Sequence, residues 1–431
     1  MTIPSPDIPF ATPGGRPIEV RIFHQTDPAG VIASGIGTFI RGLIKTAPPD
    51  IRFSVVGLTT DHVKRPVGRW TTLKLGDRDA KFFAVARNRN PGKRSFIPLS
   101  LKFVLGIYNY YGDCSSNCDV LEFHRFEPVI PFLGDLRPKT AFVHQDMEVI
   151  SNHQSDIRWK YLPGLYFTLE RHAVPACNSI FGVRETAINA YRAKNPEIAD
   201  RFHFVPTWMD PDLFYPKDND CKTALRQFAD RRFNFDASDE ILMSAGRLDL
   251  QKNPMLLVES FGKVHQVRPR SRLVVVGDGA MRSALVDRVK TLGLERRVLF
   301  AGLRSPREIA DWMQIADCFL LTSAYEGMPV CVLEALACGV PIVTTNVGEV
   351  ERIVRHGVNG RIVEHHSANA FAHGVLELLS NKQAYVGAPC TEAVRDYVPA
   401  KVLSGVYENY RMLADFRRNA AACHRHVDLS V

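Results

Sequence analysis

No segment of this 431-residue chain is apolar for long enough to cross a bilayer. The most apolar candidate, SFIPLSLKFVLGIYNYY, is short and is broken by Pro98 and Lys102. The opening MTIPSPDIPFATPGG lacks the basic start and apolar core of a secretory leader. Cysteine is sparse: nine residues, an odd number scattered along the chain, which points to reduced thiols in the cytosol rather than a disulfide framework. Cys114 and Cys118 form a pair with no second pair to complete a metal site, and Cys423, His424 and His426 stand in a tail, so no metal is expected. A dinucleotide fingerprint is missing as well. ASGIGTFIRG carries Ile40, and GDGAMR carries Arg282, where G-x-G-x-x-G requires its last glycine, which disfavours a dehydrogenase. Short internal repeats and low-complexity tracts are also absent.

What is present is an ordinary globular composition, long enough for two domains, with a formal charge of +8 that is unevenly spread. From Lys64 to Lys102, Arg65, Arg69, Lys74, Arg78, Lys81, Arg87, Arg89, Lys93 and Arg94 face only Asp77 and Asp79. The same window holds Trp70, Phe82, Phe83, Phe96, Leu99, Leu101 and Phe103. A basic surface with exposed apolar side chains suits an anionic membrane face, an acidic acceptor or nucleic acid. Nucleic acid would account for this window and for nothing in the second half, so no nucleic-acid partner is expected.

Apolar strand-like runs alternate with helical patterns throughout, the signature of an α/β chain. EVRIFHQ, FSVVGL, DVLEFH, TAFVHQ, CNSIFGV and FHFVPT read as strands in the first half. In the second half, ILMSAGR, RLVVVGDG, VLFAGL, CFLLTS and PIVTT do so, with helices starting at Asn253-Pro254 and at the Ser305-Pro306-Glu308 capping box. Prolines and charges interrupt the pattern near DPDLFYPKDNDCK, residues 210 to 222. The expected architecture is therefore two Rossmann-like, doubly wound domains, residues 1–212 and 213–400, followed by a tail from 401 to 431 that includes an amphipathic helix. Such domains bind ligands at the carboxyl ends of their strands and would face each other across a cleft.

SAYEGMPVCVLEALACGVPIV, residues 323 to 343, holds the most informative chemistry. Pro329 suits a helix's first turn and Gly339 its left-handed exit, which predicts a short helix from about Val330 to Cys338. Glu326 then lies in the loop before the helix and Glu334 within it, with the free N–H groups of the helix start offered to an anion. Arg247 ends a strand, and Lys252 follows five residues later before a helix. Two cations there can clamp a diphosphate and neutralise it as a leaving group. Gly277 and Gly279 allow a strand-to-helix turn to pass close to a ligand. Leu303 closes a neighbouring strand, where backbone groups can meet a nucleobase. In the first half, Gly35 and Gly37 open a helix able to approach phosphate, and His144 and Asp146 end a strand, where a structural histidine is nearly as good a reading.

These motifs, GRLDLQKNP, VVVGDG, VLFAGL, EGMPVCVLE and GVPIVTTNVGEVERIVRHGVNGRIV in that order, resemble the retaining glycosyltransferases of family 4. The first half is similar more loosely, through SGIGTF, VHQD and VPTWMDPDLFYP, with Thr207 and Trp208 replacing the family's usual Asn-Gly. The resemblance implies the GT-B architecture. It implies that Arg247 and Lys252 bind the donor diphosphate, that Glu334 holds the nucleotide ribose, and that Glu326 with residues Gly327 to Val330 meets the donor sugar and phosphates. His144 resembles the family's cleft histidine. The C-terminal helix would cross back to the first domain, and no metal or other cofactor would be needed. Asp77-Arg78-Asp79 matches the D-x-D metal motif of the other glycosyltransferase fold but has no supporting context. The implied activity is transfer of a hexose from a UDP or GDP sugar to a hydroxyl of a saccharide or lipid-linked saccharide in a cytoplasmic protein. The basic and aromatic window favours a lipid-linked saccharide at the inner membrane face, as in exopolysaccharide or lipopolysaccharide assembly, with a soluble sugar, a protein or a small metabolite as the other acceptors. A nucleotide-sugar 2-epimerase of the same architecture and a non-catalytic nucleotide-sugar binder are the alternatives.

Overall fold

The computed structural model describes residues 16–30, 35–75, 78–89, 98–144 and 162–427. The chain divides into two compact units: one runs up to Gly182 and takes in Thr186–Phe204 and the stretch from Leu403, and the other comprises Val183–Glu185 and Val205–Val402. The first unit therefore contains both early and late parts of the chain.

Its sheet has eight strands, β1 (Ile18–Phe23), β2 (Ile51–Thr59), β3 (Trp70–Leu75), β4 (Arg78–Arg87), β5 (Val120–Phe123), β6 (Lys139–Val143), β7 (Ser179–Gly182) and β8 (Phe202–Phe204), in the order β3-β4-β2-β1-β5-β6-β7-β8. All neighbours run parallel except the β3-β4 pair. Strand order reverses on either side of β1, so the carboxyl ends of β1 and β5 flank a switch point. Phe23, Phe123 and Phe132 pack ring against ring beneath it, with centroids 4.8 to 5.6 Å apart. The helix Ser404–Val427 is fastened to this unit: the Tyr407 hydroxyl donates to the Leu43 carbonyl at 2.9 Å, and Arg411 pairs with Asp50 at 2.7 Å.

The basic window is where the structure corrects the sequence reading. Phe82, Phe83 and Phe103 are buried, Trp70 is half-buried, and Arg65 lies buried against Asp27 at 2.8 Å. The window folds into β3 and β4, whose alternating pattern sends Leu73, Leu75, Ala80 and Phe82 inward and Lys74, Arg78 and Lys81 outward. Exposed apolar groups do occur on the adjoining helix Leu99–Asn109, where Leu101, Leu105 and Tyr108 form a stripe at helical spacing. Lys93, Arg94, Phe96, Asp77 and Asp146 lie outside the described residues.

The second unit carries six parallel strands, β9 (Glu240–Ala245), β10 (Ser271–Val276), β11 (Val298–Gly302), β12 (Cys318–Leu321), β13 (Ile342–Thr345) and β14 (Gly360–Val363), ordered β11-β10-β9-β12-β13-β14. Both faces are covered by helices, which explains the uninterrupted apolar runs of these strands. The helices begin where the sequence marks them: Pro254–Val267 follows Asn253, and Pro306–Ile315 starts at a complete Ser305–Glu308 capping box. The switch point lies between β9 and β12.

Candidate functional site

Beyond β9 and β12 a cleft of about 310 Å³ opens, lined in part by Gly246, Arg247, Leu248, Lys252, Thr322 and Ser323. Its floor depends on two close backbone approaches. Gly277, at φ +132°, sits where an added Cβ would be 1.9 Å from the Gly246 carbonyl oxygen, and at Gly279 it would be 2.4 Å from that of Leu248. No side chain fits at Gly277 without moving the end of β9 or β10.

A short 3₁₀ turn, Leu250–Lys252, capped by the Asp249 carboxylate on the Lys252 amide at 3.2 Å, points the chain back toward the cleft. Lys252 Nζ then meets Glu326 Oε1 at 2.5 Å, and the Ser323 hydroxyl donates to the same oxygen at 2.6 Å. Burial works against the Lys252 charge, but Cys331 and Glu326 outweigh it and hold the ammonium above its ordinary range. Among the described residues no hydrogen bond reaches Glu326 Oε2, which leaves that oxygen as an acceptor for a ligand hydroxyl. Arg247 is more exposed; it pairs with Asp249 at 2.8 Å and donates to Gln251 at 3.1 Å.

The helix Val330–Ala337 starts at Pro329 with no side-chain cap, so its first amides remain free of side-chain acceptors. It ends through Cys338 into Gly339 at φ +80°, one residue short of the expected span. The loop before it is held by Gly348, at φ +56°, whose own Cβ position would fall 2.0 Å from the Gly327 carbonyl. Glu349 N–H donates to that same carbonyl at 2.9 Å. The Thr207 hydroxyl reaches the Met328 carbonyl at 3.3 Å. Glu334 lies half-buried on this helix, and among the described residues its carboxyl makes no hydrogen bond. Burial, and then the charge of Asp210, lift it to about 7.

The second unit thus brings Arg247, Lys252, Gly277, Glu326, the segment Gly327 to Val330 and Glu334 into one strand-end cluster. Leu303, just past β11, is exposed. Gly35, Gly37 and His144 belong to the other unit, where Gly35 and Gly37 open the helix Gly35–Lys45. His144 follows β6 and, with His124, Arg125, Glu127 and Tyr166, lines a cavity of about 400 Å³. His24, His124 and His144 are all kept neutral, chiefly by burial. Sequence reasoning missed Asp249, Ser323, Gly348, Glu122 and His124. Gly348 was legible as the glycine of NVGEVE, whereas nothing local marks Glu122.

Residues 226–388 match the family model of glycosyl transferases group 1. The matched stretch lies within the second unit, whose sequence is similar to that of group 1 glycosyl transferases. A D-inositol 3-phosphate glycosyltransferase of Xylanimonas cellulosilytica is 31% identical over 238 residues, 53% of this chain and 55% of that protein. The chain spans about half the length of the curated relatives it matches. Among solved structures, sucrose-phosphate synthase of Thermosynechococcus elongatus is similar with a TM-score of 0.72 at 18% identity, covering 92% of this chain and 99% of that one. HepE of Anabaena in complex with UDP-glucose is similar at 0.66 and 18%, covering 92% and 100%. With two parallel-sheet α/β units and these neighbours, the chain has the GT-B fold.

Proposed function

We propose that the protein transfers a hexose from a nucleoside diphosphate sugar, UDP- or GDP-linked, to a hydroxyl of a saccharide or lipid-linked saccharide, with retention at the anomeric carbon. The observation that carries this reading is the grouping of Lys252, Glu326 and an uncapped helix start at the β9/β12 switch point, beside an acid, Glu334, that has no hydrogen-bond partner among the described residues. Lys252, Arg247 and the free amides supply positive potential to a diphosphate, so the leaving group is stabilised by this chain's own charges. A vicinal diol, as in a ribose, offers Glu334 two donors. Glu326 Oε2 remains for the donor sugar.

In the proposed step the C1–oxygen bond to the diphosphate breaks as the acceptor oxygen bonds to C1 on the same face. The acceptor proton passes to the departing phosphate oxygen. No metal is required in this reading, because the cations and helix amides occupy that role. Cytoplasmic placement with peripheral contact to an anionic membrane fits the outward cations of β3 and β4 and the Leu101, Leu105, Tyr108 stripe. In support, a relative acts on a small phosphorylated polyol by name, and a structural neighbour holds UDP-glucose. Calorimetric titration of UDP and of GDP, in the presence of a metal chelator, into the wild type and Glu334→Ala tests the donor site. One nucleotide should bind, and Glu334→Ala should weaken it at least ~10-fold, as loss of a charged hydrogen bond does. Failure of both nucleotides to bind the wild type would overturn the assignment.

A further inference from the structure

Beneath His144 runs a hydrogen-bonded chain that ends on the last helix. The Tyr410 hydroxyl bonds to Glu122 Oε2; Glu122 Oε1 lies 2.7 Å from His124 Nε2, and His124 Nδ1 lies 2.8 Å from His144 Nε2. Glu122 and His124 are fully enclosed, as is Tyr410. The rings are clamped as well. The centroid of the His124 ring lies 5.1 Å from those of both Phe142 and His144, and Phe39 stands edge-on to His144 at 5.0 Å. Turning either imidazole over would set a C–H against its partner, so the bonding order is fixed. Among the described residues, His144 Nδ1 has no partner, and the ring lines the 400 Å³ cavity.

We propose that Glu122, His124 and Tyr410 are positioning residues that set the tautomer of His144, so that its Nδ1 is presented as an N–H donor to an oxygen of a ligand in the cavity that His144 lines. The proposal rests on the glycosyl-transfer reading for taking that ligand to be a saccharide, and the proton order follows from the chain together with the protonation of Glu122. Both histidines are neutral, so each has one N–H and one bare nitrogen. Burial raises Glu122 to about 8, opposed by the Tyr410 hydrogen bond, and near neutrality the acid carries its proton. Tyr410 donates to Oε2, Oε1–H donates to His124 Nε2, and His124 Nδ1–H donates to His144 Nε2. The N–H of His144 is then on Nδ1. When Glu122 ionises, each link reverses, and Nδ1 becomes a bare acceptor. Among the described residues, the titratable and charged groups around this chain are Tyr407 and Tyr410 from the last helix, His24 just past β1, Tyr166 in the cavity lining, and Arg125, itself paired with Glu127 at 2.7 Å.

The tautomers can be read directly in the full chain, without substrate, by two-bond ¹H–¹⁵N spectra of ¹⁵N-histidine-labelled protein, with signals assigned by their loss in His124→Phe and His144→Gln. At pH 7 both rings should carry the proton on Nδ1, and both should convert together to Nε2–H as pH rises through about 8. In Glu122→Leu combined with Tyr410→Phe that joint conversion should vanish. His144 in the Nε2–H form at pH 7, or a titration independent of His124, would overturn the proposal, and the wild-type spectra decide this even if the double variant does not fold. A kinetic cycle with the nucleotide sugar chosen by calorimetry adds a second readout. His124→Phe and His144→Gln should each lower kcat by ~10-fold or more, and their combination should lower it no further, because they act as one unit. Additive losses count against the chain. Nucleotide binding with disordered tautomers would sink this inference alone, whereas ordered tautomers without nucleotide binding would sink the transfer reading alone.

Discussion

Lys252 and Glu334 are two charged groups with opposite relations to their surroundings. Lys252 is held charged by Cys331 and Glu326 despite burial, so its substitution removes a fixed positive charge from the proposed leaving-group site. Lys252→Ala should reduce transfer at least ~10²-fold, if its contribution matches the ~3 kcal/mol typical of one charge-stabilising donor. Initial-rate measurements with saturating donor check this, and unchanged turnover removes the clamp from the mechanism. Glu334 is instead raised, from an ordinary 4.5 to about 7, by burial first and Asp210 second. Because the folded state binds its proton more tightly than the unfolded state, the stabilising contribution is complete below about 4.5 and lost as pH rises through about 7. Ionised Glu334 in the free protein then costs up to about 3 kcal/mol. Glu334→Gln should therefore stabilise the protein much more at pH 8 than at pH 5 in urea unfolding, while weakening nucleotide binding. Equal effects at the two pH values would show that the carboxyl is not strained.

At the scale of elements, the glycines decide how closely strand ends can approach. Gly277→Ala would place a methyl against the Gly246 carbonyl and force a left-handed residue with a side chain. The expected cost is about 1 to 3 kcal/mol of stability, with displacement of Arg247 and weaker nucleotide binding. Melting curves and calorimetry on the same variant test both parts. Strands β9 to β13 of the second unit and the helices after Asn253, Ser305 and Pro329 were legible because each signal is local: apolar runs, Asn-Pro, the capping box and Gly339; β14, only four residues long, was not. The β3-β4 pair was not, because its period-2 alternation lies inside a run of cations whose charge dominates the composition. Leu73 and Phe82 reveal the strands only when their spacing is weighed before the charge. The chain under His144 was beyond sequence reading for a different reason. Tyr410 and Glu122 are 288 positions apart, and no local pattern links them.

For the whole molecule, the +8 charge and the apolar stripe make a joint prediction. The protein should float with anionic liposomes at low salt and be released near 0.5 M salt, where the Debye length falls to roughly 4 Å. Leu101→Glu with Leu105→Glu should reduce flotation even at low salt. Flotation unaffected by the pair would shift the contact to another surface. No helix among the described residues is long and apolar enough to span the bilayer, so any such contact through a helix is interfacial.

The helix Ser404–Val427 has a further consequence for how the protein is made. Synthesis is vectorial, and β1 and β5 leave the ribosome long before the helix that supplies Tyr407, Tyr410 and Arg411 to their unit. The unit formed largely by Val205–Val402 is nearly continuous in sequence and has its own core, so it is expected to finish folding first, although it is translated second. Chains truncated after Val402 and released from the ribosome should therefore yield a protease-resistant fragment from the second unit while the first is digested. Equal protection of both would show that the early strands hold together without the helix that arrives last.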